Sequence, residues 1–327
     1  MKKKIFSFII VAFMLFVLFF YSANHGGIKI SYEQLFHGLF IEYDSTVNII
    51  YDQRFPRMII AILSGASLAV SGVLFQAVLK NPLADPGIIG ITSCAECVTA
   101  IVAALFPGLY LFSPLLAFSG GMCGCVLVYT LSYKNGFSPL RIILVGIAVN
   151  ATFSGLTSAC ASIGGQNYES ASEMLRANIS LKTWNDVEML VLYVVIGLIV
   201  SIFIGKKCNL LSLEDKAIRG LGINVTILRL FVSIVAVLLA SINAAVVGTV
   251  SFVGLIVPHI GRLLVGNDHR ILIPFSALCG AFTMLAADTA GRLLWYPYEI
   301  SPAVVMAVVG GPFFIILLKR SDMVSGK

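Results

Sequence analysis

The residues able to do chemistry stand mostly where apolar runs end. Arg54 and Arg57 lead into the uncharged stretch from Met58 to Leu79, and Arg292 closes a later run, four residues after Asp288. Two readings of these arginines follow from the residues themselves. Long cationic side chains snorkel at membrane interfaces, and the four-residue spacing lets Asp288 and Arg292 pair on one helix face. Glu96 lies midway along another apolar run, where a charge is costly and marks function by default. It is open to protonation, to pairing across helices, to facing a cargo route or to relaying protons. Its setting, Cys94-Ala95-Glu96-Cys97, has no second cysteine pair and no spaced histidines, so packing is favoured over metal binding. His259, after Pro258 inside a run, reads as a packed, hydrogen-bonded histidine. No metal or cofactor is expected, and no Gly-x-x-x-x-Gly-Lys-Ser/Thr sequence is there to cradle a nucleotide.

Two polar strips complete the inventory. Asn150, Thr152, Ser154, Thr157 and Ser158 crowd one apolar run; such residues glue helices together or wet a pathway. Residues 206–226 are polar and basic. There Ser212 is a candidate cap, Glu214 and Asp215 fill a first turn, Arg219 lies near the end, and Gly220 or Gly222 stops the helix. Leu213, Ala217 and Leu221 recur every four residues as one apolar stripe. That short helix either lies on lipid or docks a partner.

These residues must be positioned by membrane helices. The chain of 327 residues is 58% hydrophobic and only 12% charged, with a mean hydropathy of +0.96. Soluble domains carry about a quarter charged residues, so lipid must be the main solvent. A span needs about 20 apolar residues, and ten runs are legible: 5–22, 57–79, 88–106, 112–133, 139–160, 187–205, 227–247, 251–265, 271–291 and 300–318. The eighth is short, and the pattern before it barely breaks at Gly248-Thr249. Lys134 to Pro139 is a turn-rich loop, and residues 23–56 and 161–186 are longer polar loops. Gly120, Gly121 and Gly124 suit close helix packing. The net charge of +6 is no nucleic-acid signature, because the basic residues sit at run ends. Sixteen of the 22 Lys and Arg fall on the side of Lys2–Lys4. The other six are Lys29, Arg54, Arg57, Arg176, Lys182 and Arg292. This bias predicts both termini in the cytoplasm and an even number of spans. The first run is read as a retained helix rather than a cleaved signal. All cysteines but Cys208 lie in apolar runs, and no disulfide framework is expected. The whole chain, 1–327, reads as one all-α transmembrane domain.

Several motifs, in order, carry a resemblance. They are Arg54-Phe55-Pro56-Arg57, the small-residue span through Gly65 and Gly72, and Asn81-Pro82-Leu83-Ala84-Asp85-Pro86-Gly87. Leu213-Glu214-Asp215, Arg219-Gly220-Leu221-Gly222 and Phe252 to Arg262 follow. Asp268-His269-Arg270, Ala287-Asp288 with Arg292, and Gly310-Gly311-Pro312-Phe313 complete the set. Over residues 30–320 the chain resembles the FecCD family, the membrane subunits of binding-protein-dependent ABC importers for ferric siderophores, haem and cobalamin. The resemblance implies a ten-span subunit in the cell membrane, paired with a second permease copy and with cargo passing between the two. It also implies two ATP-binding subunits inside and a substrate-binding protein outside. It assigns ATPase coupling to Leu213, Glu214, Asp215, Ala217, Arg219, Gly220, Leu221 and Gly222, and binding-protein docking to Arg54, Arg57 and Arg292. The fifth span lines the family's route, which puts Asn150, Ser154 and Thr157 on it, with Glu96 as a candidate. Glu96 departs from the small or apolar residue usual in the family. It therefore keeps open an ion-gradient-driven transporter using Glu96 and Asp288; cobalamin remains an alternative cargo, and a membrane scaffold is the structural alternative.

Overall fold

The computed structural model describes residues 2–25, 31–42, 44–132, 139–163, 179–180, 182–294 and 296–325. The expected turn at 134–138 and most of the 161–186 loop lie outside them. Among the described residues there are twelve α-helices and no strand. In order they are α1 (Lys2–Asn24), α2 (Tyr32–Phe40), α3 (Ser45–Leu79), α4 (Ile91–Leu105), α5 (Ser113–Ser132), α6 (Pro139–Ile163), α7 (Trp184–Leu210), α8 (Asp215–Gly220), α9 (Val225–Val247), α10 (Val253–Val265), α11 (His269–Leu293) and α12 (Pro302–Ser325). Seven are long and apolar enough to cross a membrane by length and composition: α1, α3, α5, α6, α7, α9 and α11. The apolar segments of α4, α10 and α12 are shorter. Each of the ten apolar runs overlaps one of these helices.

The fold is organised around α3, which is buried almost continuously from Met58 to Leu79. Small residues make this possible. A methyl group added at Gly65 would run into the Gly280 carbonyl of α11, and one at Gly72 into the Gly254 carbonyl of α10. Backbones this close leave no room for a side chain, which explains why the span lacks the Leu and Phe of a lipid-facing helix. Helix α1 shows the opposite chemistry, with Phe6, Ile9, Phe13, Phe16 and Phe20 exposed. Residues 45–56, expected in a polar loop, instead form the first turns of α3. Asp44 caps them, its Oδ1 accepting the Thr46 and Val47 N–H groups at 2.7 and 3.2 Å. This side-chain cap supplies acceptors that a helix start otherwise lacks.

Two non-helical connections meet inside the bundle. Lys80 ends α3 in the left-handed region (φ 49°), and residues 81–90 turn back into α4. Asp85 organises that turn by accepting the N–H groups of Gly87 (2.8 Å) and Ile88 (3.2 Å). It also accepts the backbone N–H of Gly254 at the start of α10, and burial pushes its carboxyl up to about 6 against these bonds. The second connection, residues 248–252, breaks α9 from α10 at Gly248 (φ 83°). The weak break in the sequence is thus a real interruption. Backbone groups freed inside a membrane protein must be satisfied by protein, and Gln76 of α3 does part of this, donating to the Ala84 and Gly254 carbonyls.

Candidate functional site

The described side chains of functional interest gather at the two ends of α3 and along one flank. At the Arg57 end, Asp288 of α11 has 0% side-chain exposure and is held between two guanidinium groups. Arg57 reaches its Oδ1 with Nε at 2.9 Å and Nη2 at 2.8 Å, while Arg292 Nε lies 3.4 Å from Oδ2. Arg292 also donates to the Ser22 hydroxyl (2.5 Å) and to the carbonyls of Ser22 and His25 (both 3.3 Å). Arg54 Nη1 donates to the Ala23 carbonyl at 2.8 Å. The expected pairing of Asp288 with Arg292 is present, but it is part of a larger network. Arg57 and Arg292 are each only 6% exposed, so neither guanidinium is presented outward as the spacing suggested. Burial explains this: a desolvated guanidinium needs a counter-charge within the fold, and Asp288 supplies it to both.

One member of the network reaches the surface. Arg57 Nη1 donates to Glu299 Oε2 at 2.7 Å, and the Ser180 hydroxyl donates to the same oxygen at 2.6 Å. Glu299 lies in the connection between α11 and α12, its side chain 47% exposed. Partial burial works against its ionised form, but the Ser180 and Arg57 hydrogen bonds outweigh this and hold it below the usual carboxylate range. Sequence reasoning missed Glu299. Its signal was faint: it is the one carboxylate between Asp288 and Asp322.

The other end of α3 carries the polar peg. Helix α8 is shorter than expected and begins at Asp215, with Glu214 rather than Ser212 at its cap position. The apolar stripe is present, with Leu213, Ala217 and Leu221 all exposed, while Ile218 is the buried anchor. Glu214, Arg219, Gly220 and Gly222 are exposed as well. Asp215 turns inward. Its Oδ1 takes Lys80 Nζ at 3.0 Å and Arg229 Nη2 at 2.8 Å, and Lys80 also donates to the Leu213 carbonyl. Burial opposes the charged form, yet the Lys80 hydrogen bond and the Arg229 charge outweigh it and keep the Asp215 carboxyl below its ordinary value. The role of Lys80 was not legible, because no local pattern links residue 80 to residue 215. Asn209, at the end of α7, binds both Asp268 and the His269 N–H at 2.8 Å, so α7, α8 and α11 share this end with Lys80.

Along the flank, α4 packs against α6; α6 carries Asn150, Ser154 and Thr157, and α4 carries Glu96. The Ser93 hydroxyl donates to Asn150 Oδ1, and Ser154 lies 3.4 Å from that oxygen. The Cys97 thiol is against the Thr157 hydroxyl, and the Glu96 carboxyl is against Thr249 in the 248–252 break. From Ala151 onward α6 exposes Ala151, Thr152, Ser154, Gly155, Ser158 and Ala159 beside Leu156. That surface is small and hydroxylated, unlike the phenylalanine-rich face of α1, and suits protein contact or water better than acyl chains. His259 is packed edge-on to Phe313, ring centroids 5.9 Å apart.

A multi-pass helical bundle with a polar flank and a short exposed peg defines the class as a membrane transport permease. The comparisons make it specific. The chain belongs to the FecCD transport family, whose profile matches residues 14–320. It is 37% identical over 321 residues to the probable heme-iron transport system permease protein IsdF of Staphylococcus aureus (strain Newman), covering 98% of this chain and 97% of that protein. Its fold matches an inward-facing structure described as of the metal-chelate ABC transporter type, with a TM-score of 0.80 and 28% identity over 97% of this chain and 99% of the other. PsaBC of Streptococcus pneumoniae shares the fold at a TM-score of 0.61 and 17% identity, covering 88% of this chain and 95% of that one. The chain is a transport component, multi-pass in the cell membrane.

Proposed function

We propose that the chain is the permease subunit of an ABC importer that carries an iron complex, a ferric siderophore or haem, into the cytoplasm. The heme-iron relative and the metal-chelate neighbour support an iron complex over cobalamin. In this reading the Lys2–Lys4 end is cytoplasmic and both termini lie there, as the charge bias suggests. The Arg57 end faces outward, toward a substrate-binding protein that docks through Arg54, Arg57 and Arg292. A second permease copy packs against the small-residue face of α6, and cargo passes along the flank of Asn150, Ser154, Thr157 and Glu96. Two ATP-binding subunits engage α8 and hydrolyse the ATP.

The observation that carries this reading is the exposed set of Leu213, Ala217 and Leu221 on and flanking α8, whose Asp215 is tied to the end of α3. A helix lying on lipid has no need of that tie. An apolar peg fixed to the central helix can pass movement of a bound ATPase into the bundle, which is what alternating access requires. Replacing Leu213 and Leu221 together with Ser is expected to abolish co-purification of the ATP-binding subunit while leaving the permease in the membrane. Undiminished co-purification contradicts the assignment.

The ion-gradient reading has one observation in its favour, Glu96 beside the 248–252 break. Asp288 lends it no support, because that carboxylate is committed to Arg57 and Arg292.

A further inference from the structure

We infer that Arg57 Nη1 and the Ser180 hydroxyl form a carboxylate-receiving site that the chain's own Glu299 fills at rest, and that a delivering protein docks by displacing Glu299 with an acidic side chain of its own. This rests on the docking reading above and adds to it an internal competitor.

The two carboxylates on Arg57 differ in kind. Asp288 is fully buried, holds Nε and Nη2, and is shared with Arg292. Removing it would strand two charges inside the protein. Glu299 holds only Nη1, from a connection rather than a helix, with half of its side chain in solvent. A half-exposed ion pair contributes little to stability, so exchanging Glu299 for an equivalent carboxylate is close to neutral in the fold. The exchange also resolves a contradiction. Arg57 is too buried to meet a partner by itself, yet one of its nitrogens is aimed at the surface and already bound to a carboxylate there.

The electrostatics favour an acidic visitor. Arg292 is close enough to influence both Arg54 and Arg57, and Asp288 and Glu299 both pair with Arg57. When Glu299 swings away, Arg57 Nη1 loses its carboxylate while Arg57 and Arg292 keep Asp288 between them. A side-chain carboxylate of a protein partner fits this vacancy in charge and in hydrogen-bond count. Tyr296 and Tyr298 are 68% and 77% exposed on either side of Pro297 and offer aromatic contact area beside it. An internal competitor lowers apparent affinity, which lets a delivery protein leave after each delivery.

The test uses the complete transporter in nanodiscs with its cognate binding protein, measuring affinity against salt. Glu299→Gln keeps the size of the side chain and removes the competing charge. It is expected to tighten binding by about fivefold, the order set by one exposed ion pair. Unchanged or weaker binding by Glu299→Gln overturns the exchange. Arg54→Gln and Arg54→Glu test the docking reading separately. If they weaken binding while Glu299→Gln does not tighten it, docking stands and exchange fails. If neither position alters affinity at low salt, both fail.

Discussion

At the scale of single residues, burial decides what a charged side chain is for. Arg57 and Asp288 form a pair that solvent does not reach, whereas Glu299 meets the same arginine at the surface. Breaking a buried pair costs about 3–5 kcal/mol, while an exposed one is worth at most about 1 kcal/mol. Asp288→Asn should therefore sharply lower the thermal stability of the detergent-solubilised permease, and Glu299→Gln should leave it within about a degree or two. Equal losses would mean that Glu299 is a structural strut. The sequence pointed to Asp288 with Arg292 because they lie four residues apart on one helix. It could not point to Arg57 with Asp288, 231 residues apart, since nothing local records which helices cross. The polar residues of α6 stood out for the opposite reason: hydroxyl and amide groups crowded into one apolar run are conspicuous by type.

At the scale of elements, α3 is the member that connects the two ends. Its 35 residues span about 50 Å at 1.5 Å per residue, with Arg57 toward one end and Lys80 at the other. Asp215 fastens the peg to Lys80 and Arg229. Lys80→Met removes one fastening without touching the exposed stripe. It should leave ATPase binding intact and reduce the stimulation of ATP hydrolysis by the binding protein several-fold; full stimulation would show that α3 does not carry the signal. Since the Asp215 carboxyl is held below its ordinary value, the link is complete above that value and is lost as pH falls through the lowered one. Coupling should accordingly be flat between about pH 5 and 8. The existence of the peg was readable from its stripe and its glycines, but its start was not. Ser212 had the right side chain for a cap, yet residues 211–213 continue the turn that ends α7 through bonds to the carbonyls of residues 208–210, so the new helix starts three residues later.

At the scale of the whole molecule, seven of the ten apolar runs lie on helices long and apolar enough to cross a membrane, because composition separates membrane interior from connection. What composition could not supply was their depth and layering. The small residues of α3 announced an interior helix, and the glycine contacts to α10 and α11 show why it can be one. The short α4 and α10 begin inside the bundle, at connections knitted together by Asp85 and Gln76, and no run-length argument fixes such a start. In the proposed function this bundle is driven by ATP hydrolysed outside the chain and carries an iron complex. Proteoliposomes holding the permease, its ATP-binding subunit and its binding protein test this most directly, with labelled haem and a ferric siderophore as cargo and Glu96→Gln alongside. The account predicts accumulation that requires hydrolysable ATP, persists with a proton and sodium ionophore, and survives Glu96→Gln. Accumulation that proceeds without ATP, collapses with the ionophore and is lost in Glu96→Gln would contradict it.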